Sequence, residues 1–566
     1  MRRRDIIELA GILAVWAVAI ILIDPRGNFP LGDDWDFAIA TWNFARTGHF
    51  TFTHFTAVSL RAQVVWGALW TWVFGESFRV LRFSTLALAA VTIIVIHRLL
   101  SRAGVARTPR VIATLAFAFH PIFLWASCTY MTEVPFVCAS AVAMYCFLRG
   151  IDEDRRSWVV AGCMAAIVSW FVRQTGVINL VAPFAIALWR RRFKDAAAIG
   201  ATFAVFAALF FFKRDWLSGS PEEFAVHYRM WGESSFRLPQ FLEVAYHWFV
   251  FNAQNSALFF LPLVAPLAFM RRTRARLVIL AAVALLIFAR VQALIGVGHP
   301  MPYFANPFCC DIFAGNILVN FGLGSQTLAG TFPFVLPYAA RLVLTYASVV
   351  LAALLVCPSP GPAPRDHPLP AARGEGPPAD HPLAAARGEG PPAEHPLPAC
   401  GERDGVRGVA TQLSIGTALA GTVALLGSGL YVDRYALDSA WSLVIFLALV
   451  IPWERAKIVA MTSLMIVAIF STFFVAEYHA WNRARWRAFE DLRARRIPLE
   501  QIDGGAEVWS YYEMANKDQR WRRIRQFGLG PRRFVIAFEP LKGYRVIARY
   551  PFGIRGGLIY VNEISG

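Results

Sequence analysis

The chain has 566 residues, of which 57% are hydrophobic, with a positive mean hydropathy and a formal net charge of +17. This composition excludes a soluble globular protein. The charge does not point to nucleic acid, because the basic residues, nearly all arginine, fall in short stretches between long apolar runs, where they mark membrane topology. Eight cysteines form no framework: Cys138, Cys146 and Cys163 lie inside apolar runs, and Cys309 and Cys310 are adjacent, without the spacing of a metal knuckle.

Met1-Arg2-Arg3-Arg4 precedes a first apolar run, 6–23, with no small-residue cleavage site after it, which predicts a retained anchor. Directly after it stands Gly32-Asp33-Asp34-Trp35-Asp36-Phe37-Ala38. Three carboxylates in four residues would each cost roughly 2.5–3.5 kcal/mol at the bilayer centre. At the interface they are tolerable, and they can bind a cation or take a proton from a substrate.

Further runs near the roughly 20 residues needed to cross a bilayer follow at 79–97, 111–128, 134–149, 157–172, 176–189, 195–213, 246–270, 276–297, 335–356, 409–428, 437–452 and 457–476. The total is about 13 spans. The basic loops Met1–Arg4, His97–Arg110, Arg149–Arg156, Trp189–Lys194, Arg271–Arg276 and Trp453–Lys457 all fall on one side, which the positive-inside rule makes cytoplasmic. An odd number of spans puts the N-terminus inside and the C-terminus outside. Residues 57–74 carry Arg61 and Gln63, and counting them as a span would invert every later loop. They read as an interfacial helix on the outer face, as does 35–46.

Residues 358–408 differ in kind. DHPLPAARGEGPPA at 366–379 repeats as DHPLAAARGEGPPA at 380–393 and restarts at Glu394. So few large apolar residues cannot bury a core, and a disordered cytoplasmic insertion is expected. The tail changes character again. Tyr478–Arg496 reads as a basic helix, Ile502-Asp503-Gly504-Gly505 as a turn, and 533–540, 544–550 and 557–564 as strands. The expected organisation is a transmembrane core in two parts, 1–357 and 409–479, interrupted by the insertion 358–408 and followed by a small extracytoplasmic α/β module, 480–566.

The outer face collects charges from distant parts of the chain: Asp33, Asp34 and Asp36; Arg61; Glu133 in Tyr130-Met131-Thr132-Glu133-Val134-Pro135; Arg173 with Gln174; and Asp433-Arg434-Tyr435 before the twelfth span. Such a plane suits an anionic lipid head group meeting a hydroxyl acceptor. Structural readings compete with this. Asp33 can cap the helix after it. Glu133 can be a solvated turn residue, and Arg173 and Arg434 can anchor on lipid phosphates. His120 reads as a satisfied interface histidine.

With these motifs, the chain resembles the GT-C superfamily of membrane glycosyltransferases, in the branch of the protein O-mannosyltransferases and lipid A aminoarabinose transferases. The resemblance rests on Asp33 in the first outer loop followed by Thr47-Gly48, on Thr132-Glu133-Val134-Pro135, and on Arg434-Tyr435. It covers residues 1–480 apart from the insertion, and the tail looks like the soluble module of related bacterial members. The chain departs from the family pattern in having Asp-Asp for Asp-Glu, Glu133 for an Asp, and Arg61 without a following Pro.

The resemblance implies an all-α polytopic fold of GT-C type with the C-terminal α/β module, in the bacterial inner membrane. It implies transfer of a sugar from a polyprenyl-phosphate donor to an acceptor lipid, glycan or protein, with no nucleic acid involved. In that reading Asp33, or Asp34, is the general base. Glu133, Arg61, Arg173 and Arg434 engage the donor phosphate or a divalent metal, and Asp36, Asp433 and Tyr435 support them. No cofactor is required, and a divalent metal is compatible with the acids. One base without a second nucleophile implies inversion. A transporter or flippase of lipid-linked glycans, or a non-catalytic family member, is the alternative. A transporter would place charges near the midplane, whereas here they gather at one face.

Overall fold

A long apolar run in lipid can satisfy its backbone within one segment as a helix, and in the computed structural model the described parts of these runs are largely helical. The structure describes residues 3–53, 55–213, 216, 238–270, 272–296, 318–319, 322–324, 328–330, 336–356, 408, 410–414, 416, 437, 440–513 and 532–565. The first helices are α1 (Arg3–Ile23), α2 (Asp34–Thr47), α3 (Arg61–Phe74), α4 (Phe78–Arg102), α5 (Arg107–Ala118) and α6 (Pro121–Ser127). Then come α7 (Glu133–Asp152), α8 (Arg156–Val172), α9 (Val181–Trp189), α10 (Phe193–Phe212), α11 (Leu238–Phe259) and α12 (Leu261–Val264). After these follow α13 (Arg274–Gly296), α14 (Tyr338–Val356), α15 (Ala440–Val450), α16 (Trp453–Ala494) and α17 (Ala506–Glu513).

Among the described residues seven helices are long and apolar enough to cross a membrane: α1, α4, α7, α10, α13, α14 and α16. Two bent pairs bring the number to nine if each is one span. In the first, α5 and α6 meet at 59°. The break falls at His120-Pro121, where the proline ring cannot continue a helix, and His120 caps α6 by accepting the Phe123 N–H at Nδ1. In the second, Phe249–Phe259 meets Leu261–Phe269 at 87°, in a stretch that carries Pro262 and Pro266. Three more of the expected spans are shorter apolar helices, Arg156–Val172, Gln174–Trp189 and Ala440–Val450. Most of the run at 409–428, and the whole repeat up to residue 407, lie outside the described residues.

The two stretches expected at the interface are helices of 14 residues each, α2 and α3. At about 1.5 Å per residue neither can cross a bilayer. At the opposite end of α1, buried Glu8 accepts hydrogen bonds from His97, Arg107 and Arg110 and so ties α1 to α4 and α5.

Helix α16 is the longest element, with 42 residues. It contains neither Gly nor Pro, so nothing interrupts it. At about 63 Å it is twice the thickness of a hydrocarbon core, so it leaves the apolar slab and carries Tyr478, Arg483 and Arg485 beyond it. A four-stranded sheet packs against that extension, with strands β1 (Ile502–Asp503), β2 (Phe534–Ala537), β3 (Tyr544–Phe552) and β4 (Gly557–Ile564) in the order β1-β2-β4-β3. The β1–β2 pair is parallel and the others antiparallel. The tight turn Gly553–Gly556 between β3 and β4 returns to α16, where the Ile554 N–H donates to Glu477.

Candidate functional site

The acidic motif sits where α2 begins. Gly32 adopts a left-handed conformation (φ 59°), which bends the chain into the helix and which a residue with a Cβ would strain. Asp33 holds the N-cap position but makes no side-chain capping bond, and it is half-buried. The next residue does the local bonding. Asp34 has no exposure, and its carboxylate accepts the Leu31 N–H at 2.6 Å and the Tyr130 N–H at 3.4 Å. The guanidinium of Arg82 stands 3.8 Å from it. Arg82 is itself fully buried and donates to the carbonyls of Gly27 and Phe29. Burial pushes the Asp34 carboxyl up to about 7, against the pull of Arg82 and the two amides.

Asp36 is also fully buried, one oxygen accepting from the Thr53 hydroxyl and the other from Thr56 at 2.7 Å. Burial again pushes the carboxyl up to about 7; the two hydroxyls pull it down and Asp33 adds to the rise. Asp36 thereby folds the loop 48–60 back onto α2. That loop is pinned at its far end to α8: Ser59 donates to the Trp170 carbonyl, the Leu60 N–H to Val172, and Gln174 to Ala57.

Glu133 is not a solvated turn residue. It is fully buried, and Arg173 donates to it at 2.6 Å and to Thr132 at 2.7 Å. Both Glu133 and Arg173 therefore serve first to lock the start of α7 to the end of α8. Just before Glu133, the Tyr130 hydroxyl donates to the Gln63 carbonyl and lies 3.0 Å from the Thr41 hydroxyl, joining α3 and α2. Gly67 makes room for that phenol, since an added Cβ would collide with its oxygen. Arg61, half-buried, donates to the Trp216 carbonyl at 2.6 Å and lies over the rings of Phe50 and Phe52. Asp433, Arg434 and Tyr435 lie outside the described residues.

The structure thus brings together the three aspartates, the Tyr130–Glu133 stretch and Arg173 around the start of α2, with Arg61 at the end of the same loop. It adds three charged residues that the sequence reading did not single out. Arg82 pairs with Asp34. From the C-terminal module, Glu507 accepts the Gly32 N–H at 3.2 Å and is ion-paired at 2.7 Å with Arg485 of α16. Arg82 was discoverable as an arginine near the outer end of an apolar helix. Glu507 left no comparable signal. No group of three or more His, Cys, Asp or Glu among the described residues could hold a metal ion.

Residues 66–213 match the model of the dolichyl-phosphate-mannose-protein mannosyltransferase family. That segment contains Arg82, Glu133 and Arg173, and stops short of the acidic motif. Among curated protein sequences none matches the chain. Two crystal structures align along almost its whole length, both of ArnT from Cupriavidus metallidurans. The apo state is 12% identical with a TM-score of 0.37, covering 98% of each chain. The form bound to undecaprenyl phosphate is 12% identical with a TM-score of 0.37, covering 99% of this chain and 98% of the other. Likeness at this level carries no residue and no ligand across.

Proposed function

We propose that this chain, whose residues 66–213 match a dolichyl-phosphate-mannose-protein mannosyltransferase family model, is a membrane glycosyltransferase of GT-C type that moves a sugar from a polyprenyl-phosphate donor to an acceptor hydroxyl at the outer face of the bacterial inner membrane. The N-terminus is then cytoplasmic and the module beyond α16 extracytoplasmic. One observation carries the choice of base. Of the three carboxylates in the motif, Asp34 and Asp36 are fully buried and committed to fixed hydrogen bonds, whereas Asp33 is the one with part of its surface exposed.

In this reading Asp33 accepts the acceptor's hydroxyl proton as the oxygen attacks the anomeric carbon. The bond from that carbon to the phosphate oxygen breaks, and the polyprenyl phosphate leaves with the electron pair. Its added charge requires cations. Arg61 is the half-buried guanidinium on the same loop system, and Arg434 is a second from the other end of the chain. Arg173, bonded to Glu133 and Thr132, holds the frame. In this reading arginine carries the charge in these steps, and a divalent metal remains compatible with the acids.

A single displacement inverts the anomeric centre, and this is the test. Purified protein given a β-linked sugar on undecaprenyl phosphate, with a cell-envelope extract as acceptor, is expected to release undecaprenyl phosphate and form an α-linked product by NMR. A β-linked product would require a covalent sugar–enzyme intermediate and would overturn the mechanism.

A further inference from the structure

The loop that carries Asp33 is held from two sides. On one side the Leu31 N–H goes to Asp34, within the loop itself. On the other the Gly32 N–H reaches Glu507, 475 residues away in sequence. Glu507 is 2% exposed, and its second oxygen accepts from Arg485, which is fully buried and lies over the rings of Trp481 and Trp486. Taking two charges out of water costs several kcal/mol per ion and adds little net stability. A buried pair fits better as a device that fixes one geometry. Here the carboxylate is oriented by Arg485 and presents its free edge to one backbone amide, that of the residue before Asp33. That residue is the left-handed glycine that sets the direction of the turn.

We propose that Glu507 is a positioning residue: the C-terminal module reaches into the membrane core's outer face and, through the Gly32 amide, fixes where Asp33 stands. The proposal rests on Asp33 being the base. It gives the module a part in transfer itself. A catalytic group must be held within a fraction of an ångström of its productive place, and a shift of about 1 Å can cost about 10²-fold in rate. The Gly32 amide is the backbone group next to Asp33, so what anchors it bears directly on where Asp33 stands.

The test compares Glu507→Gln with Glu507→Leu in the full-length protein in lipid nanodiscs. Both remove the charge facing Arg485; Gln keeps one oxygen, which can accept from the Gly32 N–H or from Arg485 but not from both, and Leu keeps none. Two readouts are taken: kcat and KM for an undecaprenyl-phosphate sugar, and amide hydrogen exchange over residues 28–36. The Leu variant is expected to exchange faster over that segment and to lose about 10–100-fold more kcat than the Gln variant, with the two donor KM values alike. If Leu fails to accumulate, Glu507→Asp takes its place, keeping the charge but falling one methylene short of spanning Arg485 and Gly32 together. Exchange over residues 28–36 in the Leu variant, or in Glu507→Asp where it replaces Leu, equal to that of the parent would overturn the positioning role. Faster exchange in Leu with kcat equal to that of Gln would overturn the catalytic consequence. The reading of Asp33 as base is sunk separately, by normal transfer in Asp33→Asn measured in the same assay.

Discussion

Asp34 and Asp36 differ from an aspartate on a surface in when they hold a proton. In the unfolded chain each ionises near pH 4. In the fold, burial pushes both up to about 7. The native state therefore binds more protons than the unfolded chain between those values, and stability falls as pH rises through this window. The contribution is complete below about pH 4 and lost above about pH 7. Asp36→Asn keeps the size of the side chain and can still meet Thr53 or Thr56, but it cannot titrate. Its thermal midpoint is expected to fall less steeply than that of the parent between pH 5 and 8, as read by thermal unfolding in detergent. Parallel pH profiles would show that Asp36 does not hold this proton. The three acids are plain in the sequence, but which of them is buried is not. Burial here is decided by partners that no local window contains: Tyr130, 96 residues from Asp34, and Thr53 and Thr56, 17 and 20 residues from Asp36.

At the scale of elements, α16 couples the apolar slab to the module. Read as sequence, it divides into a span at 457–476 and a basic helix at 478–496, and in the structure the two are one rod ending at Ala494. Its end is readable locally: Arg496 turns left-handed and Pro498 follows. The junction is not, because the change from apolar to basic residues at Glu477 resembles a boundary even where the backbone continues. Ala480 lies at that junction, half-buried, next to the turn that carries Arg485. Ala480→Pro is expected to cost about 3 kcal/mol or more by removing a helical hydrogen bond, whereas Ala480→Gly at the same place costs about 1 kcal/mol. The yield of monodisperse protein and its thermal midpoint should separate the two. Equal behaviour would mean the rod need not be continuous. Similarly, the hydropathy pattern gives the apolar runs, and even the short length of α8, but not that α5 and α6 bend by 59°.

For the molecule as a whole, charged residues from α2, α4, α7, α8, α16 and α17 converge on one end of the helical body, around the start of α2. The sequence placed most of these groups at a common face through the alternation of basic loops. It did not reveal that the module closes onto the acidic loop, because one hydrogen bond across 475 residues leaves no pattern. We propose that a half-buried carboxylate at this convergence, Asp33, takes the acceptor's proton. The direct measurement is transfer by purified Asp33→Asn, with binding of undecaprenyl phosphate measured alongside. Asn matches Asp as a helix cap, so a purely structural residue would tolerate the change. Transfer is expected to fall by about 10²–10⁴-fold with protein level and lipid binding retained. Near-normal transfer by Asp33→Asn would contradict the account and remove Asp33 from the mechanism.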